Sequence, residues 1–266
     1  MIKYVDFRKA KVRFSDKGKG KTIVLLHGFL ESLEVFEELS DQLSKSFRVI
    51  CIDLPGHGKT PVMGYAHSME FMATCVMSVL NSLSVRKYII AGHSMGGYVS
   101  LAFADLYPEH VAGLCLFHST AMPDSSEKKK ERDRISKIVM NDHTYFVIDL
   151  IPKLFAKENL SLLKEEIKKA TNIALNTTKE GIVAALMGMK MRSNRELVLK
   201  HAQCPVLFII GKKDAILAWE NLLLLAALPK KSIQVVLENT GHMGFYEAPE
   251  ECFNALTKFI RICYRK

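Results

Sequence analysis

The 266-residue chain contains no apolar run approaching the ~18 residues that a membrane-crossing helix requires, which excludes a transmembrane span. Its opening stretch, MIKYVDFRKAKVRF, is interrupted by charge throughout. No apolar core for a secretory signal remains there, so a cytoplasmic protein is expected. Proline and glycine are sparse, at 8 and 15 positions, too few for a collagenous or low-complexity chain. Internal repeats and linker-like tracts are also lacking. The six cysteines, Cys51, Cys75, Cys115, Cys204, Cys252 and Cys263, form no C-x-x-C pair and no close Cys/His group. They read as small buried hydrophobes of a reducing compartment, so neither a disulfide framework nor a metal site is expected. No dinucleotide-binding motif is present, and no cofactor is expected.

What the chain does have is an ordinary globular composition, 48% hydrophobic and 24% charged, with a net charge of +9 that is unevenly spread. Residues 1–21 hold eight Lys/Arg against two acids, residues 119–200 hold sixteen against eleven, and residues 22–118 hold five against nine. No helix-turn-helix, zinc-finger or RNA-recognition signature accompanies the basic balance, and the basic residues are mixed with acids, so a nucleic-acid partner is not expected. The run KKKERDR at 128–134 reads as the solvated face of a helix.

From residue 22 to 118, short β-branched runs alternate with amphipathic stretches, the pattern of a parallel sheet covered by helices. The runs are TIVLLH (22–27), FRVICID (47–53), KYIIAGH (87–93) and VAGLCLFH (111–118). Their continuous apolarity suits strands buried on both faces. The alternating segments 3–7 and 11–14 suggest an antiparallel pair at the sheet edge. From 119 to 200 no strand pattern survives, and four helical segments follow instead, the last with Thr177 and Glu180 at capping-box spacing. Strand and helix alternation resumes with PVLFIIG (205–211), a helix over 215–228, SIQVVLE (232–238) and a final helix from about Pro249. The chain thus divides into an α/β core, 1–118 and 201–266, and an all-helical insert, 119–200.

The sharpest chemical signal is AGHSMGG, in which residues 92–96 match G-x-S-x-G directly after one strand and directly before a helix. In that context the motif is a strained strand-to-helix turn that projects the Ser94 hydroxyl above the sheet. A serine hydroxyl is a weak nucleophile, and it needs a histidine base that is itself oriented by a carboxylate. His242, in NTGHMGF after the strand at 232–238, and Asp214, in GKKD after the strand at 205–211, both fall at the carboxyl end of the sheet, in the chain order serine, acid, histidine. Asp124, after the strand ending at His118, competes with Asp214 as the acid, and Asp53 reads as a turn residue. His27, His57, His93 and His118 also lie near strand ends, but they precede or abut Ser94 in the chain. Two backbone N–H groups could receive a developing oxyanion: that of Met95, next to the nucleophile, and that of Phe29, in the loop His27-Gly28-Phe29.

Together HGF at 27–29, DLPGHGKT at 53–60, GHSMGG at 92–97, GKKD at 211–214 and GH at 241–242 resemble the α/β-hydrolase family, in particular its small cap-bearing esterase and peptidase-like members. The resemblance implies a mostly parallel sheet of about eight strands, Ser94, Asp214 and His242 as a triad, and a helical cap at 119–200 over the site. The chain departs from the family's G-x-x-D-x-x-x-P pattern, with Ala218 in the proline position. A serine at the elbow, where epoxide hydrolases and haloalkane dehalogenases carry a carboxylate, points to ester or thioester hydrolysis through an acyl-enzyme.

The pocket that selects substrate is expected to be apolar, walled by Phe29, Phe146, Leu150, Met187, Ile216 and Met243, and suited to a small or medium acyl chain. Met122, Met140, Met187, Met189 and Met191 are expected mainly as core contacts of the insert. Its Lys/Arg excess would suit an acidic carrier protein or a coenzyme A thioester, although mixed charge on exposed helices needs no partner. The expected activity is carboxylic ester hydrolysis. The same triad also serves carbon–carbon bond hydrolysis, perhydrolysis or a lyase step, and a ligand sensor with incidental turnover belongs to a different class again.

Overall fold

Strands form where the chain runs continuously apolar, and in the computed structural model, which describes residues 1–265, eight of them make one sheet. They are β1 (Ile2–Phe7), β2 (Ala10–Lys17), β3 (Thr22–Leu26), β4 (Arg48–Ile52), β5 (Tyr88–His93), β6 (Val111–Phe117), β7 (Val206–Gly211) and β8 (Ser232–Leu237), in the order β1-β2-β4-β3-β5-β6-β7-β8. β1 pairs antiparallel with β2 and β2 with β4, and all other pairings are parallel. Every residue of β3, β5, β6 and β7 is buried, as expected for strands covered on both faces. The helices are α1 (Glu37–Ser44), α2 (Met69–Ser82), α3 (Met95–Leu106), α4 (Ser126–Leu150), α5 (Lys164–Leu175), α6 (Lys179–Met191), α7 (Glu196–Lys200), α8 (Trp219–Ala226), α9 (Gly244–Glu247) and α10 (Pro249–Cys263). No helix among the described residues is long and apolar enough to cross a membrane.

Four helices, α4 to α7, fill the interval between β6 and β7, with no strand among them. The two helical segments expected over 125–155 meet inside α4, where Asp142 leaves helical geometry (φ −145°, ψ 90°). Its carboxylate accepts from the Tyr145 N–H at 3.0 Å and so restarts the helix, as an N-cap does. The expected Thr177/Glu180 box is one residue off. Thr177 still donates its N–H to Ala174 O, closing the turn before it, and Thr178 is the first extended residue, its hydroxyl accepting from Gly181 N–H at 3.1 Å. The methionines divide: Met189 is buried and Met187 half-buried, but Met122, Met140 and Met191 are 44%, 53% and 65% exposed, correcting the expectation of a methionine-filled core. Helical spacing places a side chain on a face, but only the neighbouring elements decide whether that face is covered.

Two ion-pair groups close the root of this segment. The Asp124 carboxylate, with no exposed side-chain surface, is held by Arg132 and, at 2.6 Å, by Arg192, whose guanidinium lies 4.2 Å over the Tyr98 ring. Arg195 pairs with Glu70 of α2, and its N–H donates to Ala121 O at 2.8 Å. The chain is therefore pinned where it leaves the sheet and where it returns. Farther out, α6 lies backbone to backbone against the loop before α2: Ala184 O accepts from His67 N–H at 2.9 Å, and a Cβ on Gly188 would stand 1.7 Å from His67 O. Several of the segment's bases are paired with its own acids, in Lys153–Asp149, Lys190–Asp133 and Arg134–Glu131, and Lys169 reaches Glu38 of α1.

Candidate active site

The parallel strands deliver one loop each to the same edge of the sheet, where open α/β sheets build their sites. β5 ends at His93, and Ser94 turns the chain into α3 with φ 48° and ψ −114°, a conformation that L-residues avoid without outside support. That support is local. Ser94 N–H donates to Phe117 O at 2.9 Å, and Ser94 O accepts from the Ser119 hydroxyl at 2.8 Å. The flanking glycines are obligatory, because a Cβ at 92 would stand 2.1 Å from the Gly96 carbonyl and one at 96 would stand 2.2 Å from Leu26 O. Ser94 is the partly exposed residue of an otherwise buried turn, and its hydroxyl makes no hydrogen bond among the described residues.

His242 lies in the loop between β8 and α9, its ring 5.0 Å from that of His93, the residue before Ser94. Its Nδ1 lies 2.7 Å from Asp214 Oδ2. The other Asp214 oxygen accepts from the N–H groups of Ile216 and Leu217 at 2.8 and 3.1 Å, which fixes the carboxylate at the tip of the β7 loop. Ala218, in the position of the family's proline, has φ −62°, the value a proline ring would impose. Burial by itself would raise the Asp214 carboxyl, but the charge and hydrogen bond of His242 carry it down to about 2. For His242 burial works toward the neutral form, but the charge and hydrogen bond of Asp214, together with the charges of Glu31 and Glu247, raise the imidazole above its ordinary value. A reaction using His242 as a base requires the neutral ring, so its kcat/KM is expected to rise with pH through an apparent pKa above the usual ~6.5. A pH–rate profile measures this, and a midpoint below ~6 would contradict the pairing.

The remaining candidates occupy other roles. Asp124 is taken up by arginines at the root of the helical segment, and no histidine bonds to it. Asp53 accepts from Leu33 N–H, Lys59 N–H and Arg13, fixing a turn. His27 is locked between Gly28 O and Leu54 N–H at 2.8 and 2.9 Å. His118 is buried beside Asp214, Nδ1 to Oδ2 3.7 Å, but Nδ1 accepts from Gly211 N–H, and burial holds the ring well below its usual range, hence neutral. The N–H groups of Phe29 and Met95 have no hydrogen-bond acceptor among the described residues, as donors awaiting an oxyanion would.

The expected wall residues scatter. Phe146 and Met243 are buried in the core, at 9% and 1% exposure, whereas Phe29, Leu150 and Met187 keep accessible surface while packing against it. Ile216 is 39% exposed on the Asp214 loop. Glu31, buried at 4% exposure and bonded to Gly28 N–H and His93, was not anticipated from sequence. It lies five residues beyond the end of β3, and no local pattern shows that it folds back.

Residues 21–162 match the family model described as the alpha/beta hydrolase fold, and the chain belongs to that family. An esterase from Thermogutta terrifontis has a similar structure, with a TM-score of 0.93 and 31% identity over 99% of this chain and 98% of that one. The dihydrolipoyllysine-residue acetyltransferase component of an acetoin cleaving system from Pseudomonas putida is 30% identical over 92% of this chain, which spans 65% of that protein's length. Lipase 1 from Psychrobacter immobilis is 25% identical over 91% of this chain and 78% of its own. The family context is that of esterase- and lipase-like hydrolases acting on small molecules.

Proposed function

We propose that the protein is a serine hydrolase that cleaves carboxylic esters of small to medium acyl chain, and by the same chemistry thioesters, through an acyl-enzyme. The observation that carries this reading is that Ser94, held at positive φ at the head of α3, directly follows His93, whose ring lies 5.0 Å from that of His242, itself bonded to Asp214 at 2.7 Å. In this reading the Ser94 oxygen attacks the ester carbonyl while His242 accepts its proton, and Asp214 fixes the ring tautomer and offsets the imidazolium charge. The N–H groups of Phe29 and Met95 receive the oxyanion. His242 returns the proton to the leaving alcohol, and a water activated by the same ring releases the acid. The α4–α7 segment serves as the cap: Leu154 O accepts from His242 N–H at 2.7 Å, so the segment rests directly on the loop that carries the base. Six free cysteines suit a reducing compartment, and the cytoplasm is the proposed location.

The test is a p-nitrophenyl ester series from acetate to decanoate. Saturable turnover with a maximum of kcat/KM between butyrate and octanoate is expected. Absence of turnover on every ester would overturn the proposal and favour carbon–carbon cleavage or ligand sensing.

A further inference from the structure

His93, the residue before Ser94, is 1% exposed, and both of its ring nitrogens face oxygen acceptors. Nδ1 lies 2.9 and 3.1 Å from the two carboxylate oxygens of Glu31, and Nε2 lies 2.8 Å from the main-chain carbonyl of His242. A carbonyl only accepts, and the Glu31 carboxylate is placed as an acceptor by its second bond, from Gly28 N–H to Oε2, and lies below the ordinary carboxylate range although burial would raise it. A neutral imidazole has a single N–H, so two acceptors require the doubly protonated ring. The second Glu31 contact, Gly28 N–H to Oε2 at 2.6 Å, extends the link into the loop that carries Phe29.

We propose that Glu31 and His93 form a charged buried pair that positions three loops of the site together: the Phe29 loop through Gly28 N–H, the Ser94 turn through His93 itself, and the base-bearing loop through the His242 carbonyl. Its catalytic consequence rests on the hydrolase reading above; its charge state does not. These loops come from the ends of β3, β5 and β8, which are far apart in the chain, and among the described residues no other side-chain pair bonds to all three. The pair also explains why a cation is tolerable there. The His242 ring is 5.0 Å from that of His93, and His118, the other titratable ring facing it, is 6.0 Å away and neutral. An isolated imidazolium at that distance would oppose protonation of His242 during turnover. Glu31 cancels that charge locally, and Phe117 and Phe245, edge-on to the His93 ring at 5.8 and 4.9 Å, shield the pair from water.

Nitrogen-15 spectroscopy of the histidine rings in the wild-type protein reads the charge without any variant. Both His93 nitrogens are expected at imidazolium positions at pH 7, while His27 and His118 show single neutral tautomers. A neutral His93 at pH 7 would overturn the proposal. Glu31→Gln keeps the shape and can still accept from Gly28 N–H, but it removes the counter-charge. His93 is then expected to become neutral, its Nδ1 accepting from the introduced amide while Nε2–H still reaches the His242 carbonyl, so that all three links lose their charge assistance and loosen, with kcat on p-nitrophenyl butyrate falling roughly 10-fold and KM changing less than about threefold, the signature of misplaced rather than missing groups. Unchanged kcat in a folded Glu31→Gln protein would also overturn it. If the wild type hydrolyses no ester, the hydrolase reading fails, while the ring spectra still decide the pair.

Discussion

Ser94→Ala is expected to lower ester hydrolysis by about 10⁴- to 10⁶-fold in kcat while leaving the protein folded, because removing a triad nucleophile leaves only what the oxyanion donors and binding supply. The structure gives the folding half of that expectation a specific basis. Every bond that residue 94 makes among the described residues uses its own main chain: its N–H donates to Phe117 O, and its carbonyl accepts from the Ser119 hydroxyl and from the N–H groups of Gly97 and Tyr98. Alanine keeps all of them, and the lost hydroxyl has no partner. Thermal unfolding should therefore shift by no more than a few degrees. Residual activity above about a hundredth of wild type would remove Ser94 from the reaction, since the known cost of losing such a group is far larger.

Asp214→Asn and Asp124→Asn are expected to fail in opposite ways, which makes the pair decisive about the acid. At 214 the amide cannot stabilise the imidazolium and favours the wrong tautomer of His242, so kcat is expected to drop by about 10⁴. The acidic limb of the residual rate should also move to lower pH, because the negative charge that raises His242 has gone. At 124 the carboxylate serves two arginines, one of them, Arg192, only 6% exposed. Its loss leaves a buried guanidinium without a counter-charge, a destabilisation of about 3 kcal/mol. For a chain of this size that is a fall in Tm of roughly 6–12 °C. Below that temperature kcat should stay within a few-fold of wild type. A larger kcat loss at 124 than at 214 would reverse the assignment of the acid.

The strands buried on both faces were legible because a segment covered above and below must be apolar at every position, and TIVLL or VAGLCLF can hardly be anything else. The elbow was legible for a similar reason: Gly92 and Gly96 are dictated by backbone atoms within about one turn or on the adjacent strand. Capping and exposure within α4–α6 were read less well. The choice between Thr177 and Thr178 depends on whether the preceding helix has finished its last turn, which Ala174 O decides. The exposure of Met140 and Met191 depends on which helix faces the core and covers, information that period alone does not contain.

By itself the sequence determined the α/β class, the position of the strained turn at Ser94, and the placement of Asp214 and His242 in loops that a parallel sheet must bring to one edge. These follow from local patterning and strand direction. Only the tertiary structure decided that Asp214 rather than Asp124 meets His242, that Asp124 instead anchors the root of the helical segment, and that Glu31 turns inward to meet His93. Each of these is a pairing of charges distant in the chain. A buried charge must find a partner of opposite sign or hydrogen bonds wherever the fold offers them, and that choice is made by the packing of loops around it, not by its sequence neighbours.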